Sequence, residues 1–223
     1  MEGLVDKLPF LYHMIKVLPY LFEGIKYTFI ITIFGVAIGF VIGAFAGLGR
    51  ISKNKIIYGI STVYVEIIRG TPILVQILFI YFGLPDLLDL NLDKITASII
   101  AIAINAGAYI AEIVRGGVQS IDKGQFEAGD SIGLTKNQTM WHIVWPQAFR
   151  RMIPPLGNQF IISLKDTSLF SAIAVVELVY QGKAYTTASA AYFEPYFMVA
   201  LFYLAITIPA SIILRRLEKR LDV

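Results

Sequence analysis

"YTFIITIFGVAIGFVIGAFAGLG", residues 27–49, carries no charged side chain, and every fourth position from Gly35 to Gly47 is glycine. At about 1.5 Å rise per residue, a helix of this length reaches roughly 34 Å, enough to cross a hydrocarbon core of about 30 Å. The stretch therefore reads as a transmembrane helix. Gly35, Gly39, Gly43 and Gly47 fall on one face of it, a GxxxG ladder that lets a second helix approach closely.

Further apolar spans follow at roughly 57–84, 97–114 and 195–214, and another at 152–178 is interrupted by Lys165 and Asp166. The composition agrees: 57% of the residues are hydrophobic and 16% charged, whereas soluble domains carry about 25% charged residues. The sequence thus predicts an all-α integral membrane protein with five transmembrane helices in a single domain, 1–223.

Basic residues set its orientation. Twelve of the nineteen Lys and Arg residues fall in three segments on one side: Arg50, Lys53 and Lys55; Arg115, Lys123, Lys136, Arg150 and Arg151; and Arg215, Arg216, Lys219 and Arg220. Five fall opposite (Lys7, Lys16, Lys26, Lys94 and Lys183), while Arg69 and Lys165 lie within spans. The positive-inside rule then places the N-terminus outside and the C-terminus inside. The net charge of +3 is topogenic, and nucleic acid is not an expected partner. The absence of cysteine rules out a thiolate metal site, and His13 and His142 fall on opposite sides, so no metal site is expected.

Residues 1–26 are too charged for a signal-peptide core. Leu4, Leu8, Leu11, Ile15, Leu18 and Phe22 recur at spacings of four and three, so the segment is expected to be an external amphipathic helix, although Pro9 and Pro19 weaken the pattern.

The long internal segment reads "GGVQSIDKGQFEAGDSIGLTKNQTMWHIVWPQAFRRM". Gly133 suits the position just past a helix end, and Thr135 with Gln138 makes a T-x-x-Q capping box, so two short helices joined by a turn are expected over 119–146. The pattern E-A-A-x3-G-x9-I-x-L-P, here Glu127, Ala128, Gly129, Gly133, Ile143, Trp145 and Pro146, resembles the signature of the permease subunits of bacterial ABC importers. Gly129 stands where that pattern has alanine and Trp145 where it has leucine. "RGTPILVQILFIYFGLP" and "SLKDTSLFSAI" are similar to the polar amino-acid branch, the histidine, glutamine and arginine type.

The resemblance implies a type I importer permease in a bacterial plasma membrane. It implies a second permease subunit, identical or a sister, and an external binding protein that delivers an amino acid. It also implies an ATPase subunit docked on the hairpin through Glu127, Ala128, Gly129, Gly133, Trp141, Ile143 and Pro146. The chain has no G-x-x-x-x-G-K-[ST] loop, so ATP and Mg belong to that partner, and neither a cofactor nor an enzymatic activity of its own is expected.

Charged residues inside the spans mark candidate substrate contacts. A charge at the bilayer centre costs about 2.5 to 3.5 kcal/mol on insertion scales, so such residues face a cavity or pair with one another. Glu66, Arg69 and Gln76 lie on one helical stripe, interrupted by Gly70, Thr71 and Pro72, where a broken helix frees backbone groups for a ligand. Asn105 shares a stripe with Ser98, Tyr109 and Glu112. Asn158 with Lys165, and Gln159 with Asp166, each repeat at seven after a break expected at Pro154 and Pro155.

The substrate set is therefore Glu66, Arg69, Gly70, Thr71, Gln76, Asn105, Asn158, Lys165 and Asp166. Alternatively, Glu66 and Arg69 neutralise one another at i, i+3, and Lys165 with Asp166 are neutralised by helix neighbours or across the permease dimer. Glu112 beside Arg115, and Glu177 near the external end, are second choices. Four intramembrane acids against two bases lean towards a basic amino acid. A proton-driven carrier and a membrane hydrolase are the other classes; the first needs no docking hairpin, and H-E-x-x-H and G-x-S-x-G are both missing.

Overall fold

In the computed structural model, which describes residues 9–221, the sequence forms helices joined by short turns, with no strand among those residues. The described residues begin with α1, Pro9–Gly49, a 41-residue helix. α2 (Lys55–Arg69) and α3 (Ile73–Leu88, with a π-helical turn at Phe79–Gly83) follow, bent by 103° at the break between them. α4 is Lys94–Gln119, α5 Lys123–Ser131 and α6 Lys136–Thr139. A π-helical turn, Met140–Val144, leads into α7, Trp145–Asp166, and a 3-10 stretch, Thr167–Ile173, follows it. α8 (Leu178–Ser189) and α9 (Phe193–Leu221) complete the chain.

α1, α4 and α9 are each long and apolar enough to cross a membrane, and the bent pair α2–α3 counts as a fourth span if taken as one. The expected span at 152–178 is not one helix. α7 stops at Asp166, and Ala174 takes a left-handed conformation with φ 56°. The pair Pro154–Pro155 does not interrupt α7, contrary to expectation. Each proline removes one amide donor, but the helix is held by packing on both sides of the pair: Met152 is buried beneath Gly117, and Gly157 lies against Leu214.

The N-terminal segment also differs from expectation. The helix runs from Pro9 through Pro19 into the first span without a break, so no separate amphipathic helix ends near residue 26. Leu4, Leu8 and Lys7 lie outside the described residues. The stripe residues Leu11, Ile15 and Phe22 are exposed, while Val17 and Leu21 on another face are completely buried. Burial of that second face is what carries the helix past Pro19.

The chain divides into two compact units, each assembled from separated segments. The first comprises the described residues up to Gly35 together with Leu74–Ile102 and Ile161–Ala210. Its core gathers Val17, Leu21, Leu178, Tyr185, Met198 and Val199. Gly24 packs directly on the backbone of Glu177 and Leu178, where an added Cβ would meet atoms at 3.0 Å. Glu177, fully buried, caps α8 by accepting from the amides of Val179 (2.8 Å) and Tyr180 (2.7 Å), with the Tyr203 hydroxyl donating at 3.4 Å.

The second unit comprises Val36–Ile73, Ala103–Phe160 and the described residues from Ser211 onward. Its centre is the glycine face of α1 against α4. A Cβ at Gly43 would lie 2.6 Å from the Gly107 carbonyl oxygen and from Ile110 Cβ; one at Gly47 would lie 2.6 Å from Val114 Cβ. No side chain fits between these helices, so the ladder serves packing. The Tyr64 hydroxyl on α2 donates to the Ile104 carbonyl at 2.7 Å, tying α2 to the same face of α4.

Candidate functional site

The second unit contains a cluster of five charged side chains built on three helices. Glu112 of α4 lies at its centre. Arg50 Nη1, just past α1, is 2.7 Å from Glu112; Arg69 Nη1, at the end of α2, is 3.3 Å from it; and Arg115 Nη2, one turn along α4, is 2.8 Å from it. Arg50 Nη1 also reaches Glu66 at 3.3 Å. The Arg50 side chain is only 10% exposed, against 65% for Glu66. Arg69 additionally lies over the Tyr109 ring, 5.4 Å from its centroid.

This geometry corrects the expectation that Glu66 and Arg69 neutralise one another. Each is paired, but with a different helix. Glu112, a second choice from sequence, is ion-paired with three arginines, and Arg50, assigned to a loop, is drawn into the cluster. Of these contacts only Glu112–Arg115 had a local signal, the i, i+3 spacing.

The break between α2 and α3 falls where Gly70, Thr71 and Pro72 were expected to interrupt the helix. All three are exposed. The Gly70 amide donates to the Glu66 carbonyl at 2.8 Å, and the Thr71 hydroxyl donates to the Ile67 carbonyl at 2.9 Å. The Gly70 N–H, expected to be available to a ligand, is thus committed to closing α2. Asn105 is buried on α4 and Asn158 exposed on α7.

In the first unit, Gln76 is buried on α3, Lys165 is exposed and Asp166 half-buried at the end of α7. No ion pair among the described residues includes Lys165 or Asp166. The repeat at seven holds: Asn158 and Lys165 are both exposed, whereas Gln159 is buried and Asp166 half-buried one position further round.

The expected turn between α5 and α6 is present in full. Gly133 has φ +79°, and its amide donates to Asp130 (3.1 Å) while the Leu134 amide donates to Gly129 (3.0 Å), the paired bonds of a Schellman end. The Thr135 hydroxyl accepts from the Gln138 amide at 3.4 Å, and the Thr135 amide donates to Gln138 Oε1 at 2.9 Å, closing the capping box. Asp122 caps α5 by accepting from the Gly124 amide at 2.7 Å.

The hairpin buries one side and exposes the other. Gly129 is buried against Thr139, and a Cβ there would lie 2.5 Å from Thr139 Oγ1. The contact explains why glycine stands at this position. Glu127, Ala128, Ile132, Trp141 and Pro146 are exposed, with Trp141 at 60% and Ile132 at 72%, and Ile143 is half-buried. Two large apolar side chains are thus left exposed on this short segment.

Among the described residues no group of three or more His, Asp and Glu side chains gathers as a metal site would.

Residues 35–223 match the family described as binding-protein-dependent transport system inner membrane component. The chain is 50% identical over 207 residues to the glutamine transport system permease protein GlnP of Escherichia coli (strain K12), covering 92% of this chain and 94% of the relative. It is 42% identical over 200 residues to the probable glutamine ABC transporter permease protein GlnM of Bacillus subtilis (strain 168), covering 90% and 92%. A crystal structure of an amino acid ABC transporter with histidines superposes with a TM-score of 0.89 at 39% identity, covering 93% of this chain and 96% of that one.

Proposed function

This chain belongs to the binding-protein-dependent transport system inner membrane components, as a permease subunit of an amino-acid ABC transporter rather than an enzyme, and on that premise we propose that it forms the translocation pathway of a polar amino-acid importer and takes its energy from a docked ATPase. The family implies a bacterial plasma membrane, a second permease subunit and an external binding protein. The ATPase, with its ATP and Mg, is the partner of the α5–α6 hairpin.

The observation that carries the coupling half is that hairpin. Its turn is fixed by a Schellman end and a capping box, and it presents Glu127, Ala128, Ile132 and Trp141 outward. A rigid element with an exposed aromatic anchor suits a groove on a partner. Movement of that groove is transmitted directly, because α6 runs through the Met140–Val144 turn into α7.

For the substrate, the proposed contacts are taken unit by unit: in the second, Arg69 for the α-carboxylate and Glu66 for the α-ammonium, with Gly70, Thr71, Asn105 and Asn158 as further candidates; in the first, Lys165 and Asp166 for the same two groups, with Gln76. The ion-pair cluster removes the acid excess that leaned towards a basic substrate, since Arg50 and Arg115 join Arg69 around Glu66 and Glu112. A polar neutral amino acid such as glutamine, which the names of two relatives give, therefore stands first, with histidine, arginine and lysine next.

The test reconstitutes the permease with its ATPase and binding protein and measures substrate-stimulated ATP hydrolysis for each amino acid. Glu66→Gln and Asp166→Asn are expected to weaken the response to the preferred substrate at least about tenfold, the effect of losing one charged contact. Unchanged stimulation of ATP hydrolysis in both variants removes these two residues as ligands.

A further inference from the structure

The last two turns of α9 carry Arg215, Arg216, Lys219 and Arg220, with Glu218 as the one acid among residues 215–220. Ile213, Arg216, Leu217, Lys219 and Arg220 line a groove of about 460 Å³ on this end of the helix. The spacing sorts them into two rows. Ile213 and Leu217 stand one turn apart and form an apolar row, while Arg216 and Arg220 form a cationic row beside it, with Lys219 at the rim. Ile213 is 65% exposed and Leu217 39%, and the three cations are exposed.

The depth of this groove follows from α9 itself. Only 6% of its most apolar window is buried, so the helix turns its apolar surface outward. Near its start, Phe193 and Phe197 stack at 5.6 Å, and Tyr192 and Tyr196 are exposed beside them, the composition of an interfacial aromatic belt. From Phe197 to Arg215 is eighteen residues, about 27 Å of helix, close to the thickness of a hydrocarbon core. If the aromatic residues mark one interface, the arginines reach the other.

We propose that the groove at the C-terminal end of α9 binds the phosphodiester headgroup of an anionic phospholipid, with Arg216, Lys219 and Arg220 around the phosphate and Ile213 and Leu217 against the upper acyl chain. Three cations in one groove supply the charge complementarity, and the adjoining apolar row distinguishes a lipid from a free anion. Long basic side chains near a helix end reach the headgroup level while their stems cover apolar surface. This site is independent of the transport reading.

The experiment measures lipids retained by the full-length chain, using native mass spectrometry of protein released from mixed micelles of phosphatidylglycerol and phosphatidylcholine. The expected result is preferential retention of phosphatidylglycerol, lowered about five-fold for each cation removed and roughly a hundred-fold in R216Q/K219Q/R220Q. An equal charge loss elsewhere, K53Q/K123Q/K136Q, should leave the preference intact, and millimolar inorganic phosphate should not displace the lipid. Equal retention of the two lipids overturns the proposal, as does an equal effect of the control variant. Displacement by inorganic phosphate identifies a free-anion site instead. A triple variant that keeps its phosphatidylglycerol but loses the partner ATPase on co-purification makes the face a protein interface and also overturns the proposal.

Discussion

Gly129 and Thr139 form a contact whose energetics change sign when both are substituted. In Gly129→Ala the new Cβ would fall 2.5 Å from Thr139 Oγ1 and 2.6 Å from its Cγ2. Overpacking of this kind costs about 1–3 kcal/mol, and alanine's helix propensity offsets at most about 1 kcal/mol of it. The single variant should therefore lose about 1 kcal/mol. Thr139→Ala removes both obstructing atoms and, with them, a hydroxyl that is buried without a hydrogen-bond partner. Relief of that hydroxyl, about 1 kcal/mol, roughly balances the lost methyl packing, so this variant should be near neutral.

The double variant keeps the propensity gain without the clash and should be about 0.5–1 kcal/mol more stable than the parent. Hydrogen exchange of the Gly133 and Leu134 amides reads this locally, because both are closed onto α5. A change of about 1.4 kcal/mol in local opening is a tenfold change in protection. Greater protection in Gly129→Ala alone, or a double variant no better than that single, refutes the packing argument.

Two further outcomes follow from the charged groups. Glu112→Gln should destabilise the chain by about 2 kcal/mol, since it leaves the nearly buried Arg50 without its shortest ion pair, whereas Glu66→Gln, at an exposed position, should cost well under 1 kcal/mol; thermal unfolding in nanodiscs ranks them, and equal shifts would remove Glu112 from the centre of the cluster. At the start of α4, hydrogen bonds from Thr96, by side chain and then amide, and from the Ile95 amide hold the Asp93 carboxyl below its usual range. Its folded pKa is depressed, so its contribution is present above the unfolded value near 4 and lost as pH falls through the folded one. Exchange protection of the first turn of α4 should drop over that acidic window, and Asp93→Asn should flatten the drop.

Features written in neighbouring residues were legible in the sequence. The glycine ladder, the Gly133 turn, the Thr135–Gln138 box and the break at Gly70 to Pro72 each depend on local spacing, and each is present. The ion-pair cluster was not legible, because Arg50 and Glu112 are brought together only by α1 packing on α4. Helical spacing offers partners three or four residues away, so it suggested Arg69 for Glu66 and missed Arg50. Proline misled in the other direction: Pro19 weakened the expected helix and the Pro154–Pro155 pair was expected to break one, but burial of Leu21 and Met152 on the same helices outweighs the lost amide bonds.

The cap on α8 has a consequence for biosynthesis. Glu177 is enclosed by partners far apart in the chain: the neighbouring Leu178 amide lies 3.4 Å from the Thr28 hydroxyl, 150 residues upstream, and Tyr203 follows 26 residues downstream. While the ribosome is still making α9, that carboxylate lacks its last cover. α1 and α9 must both be in place before this region closes. A chain truncated in α9 ahead of Tyr203 would leave that acid without the hydroxyl that completes its enclosure.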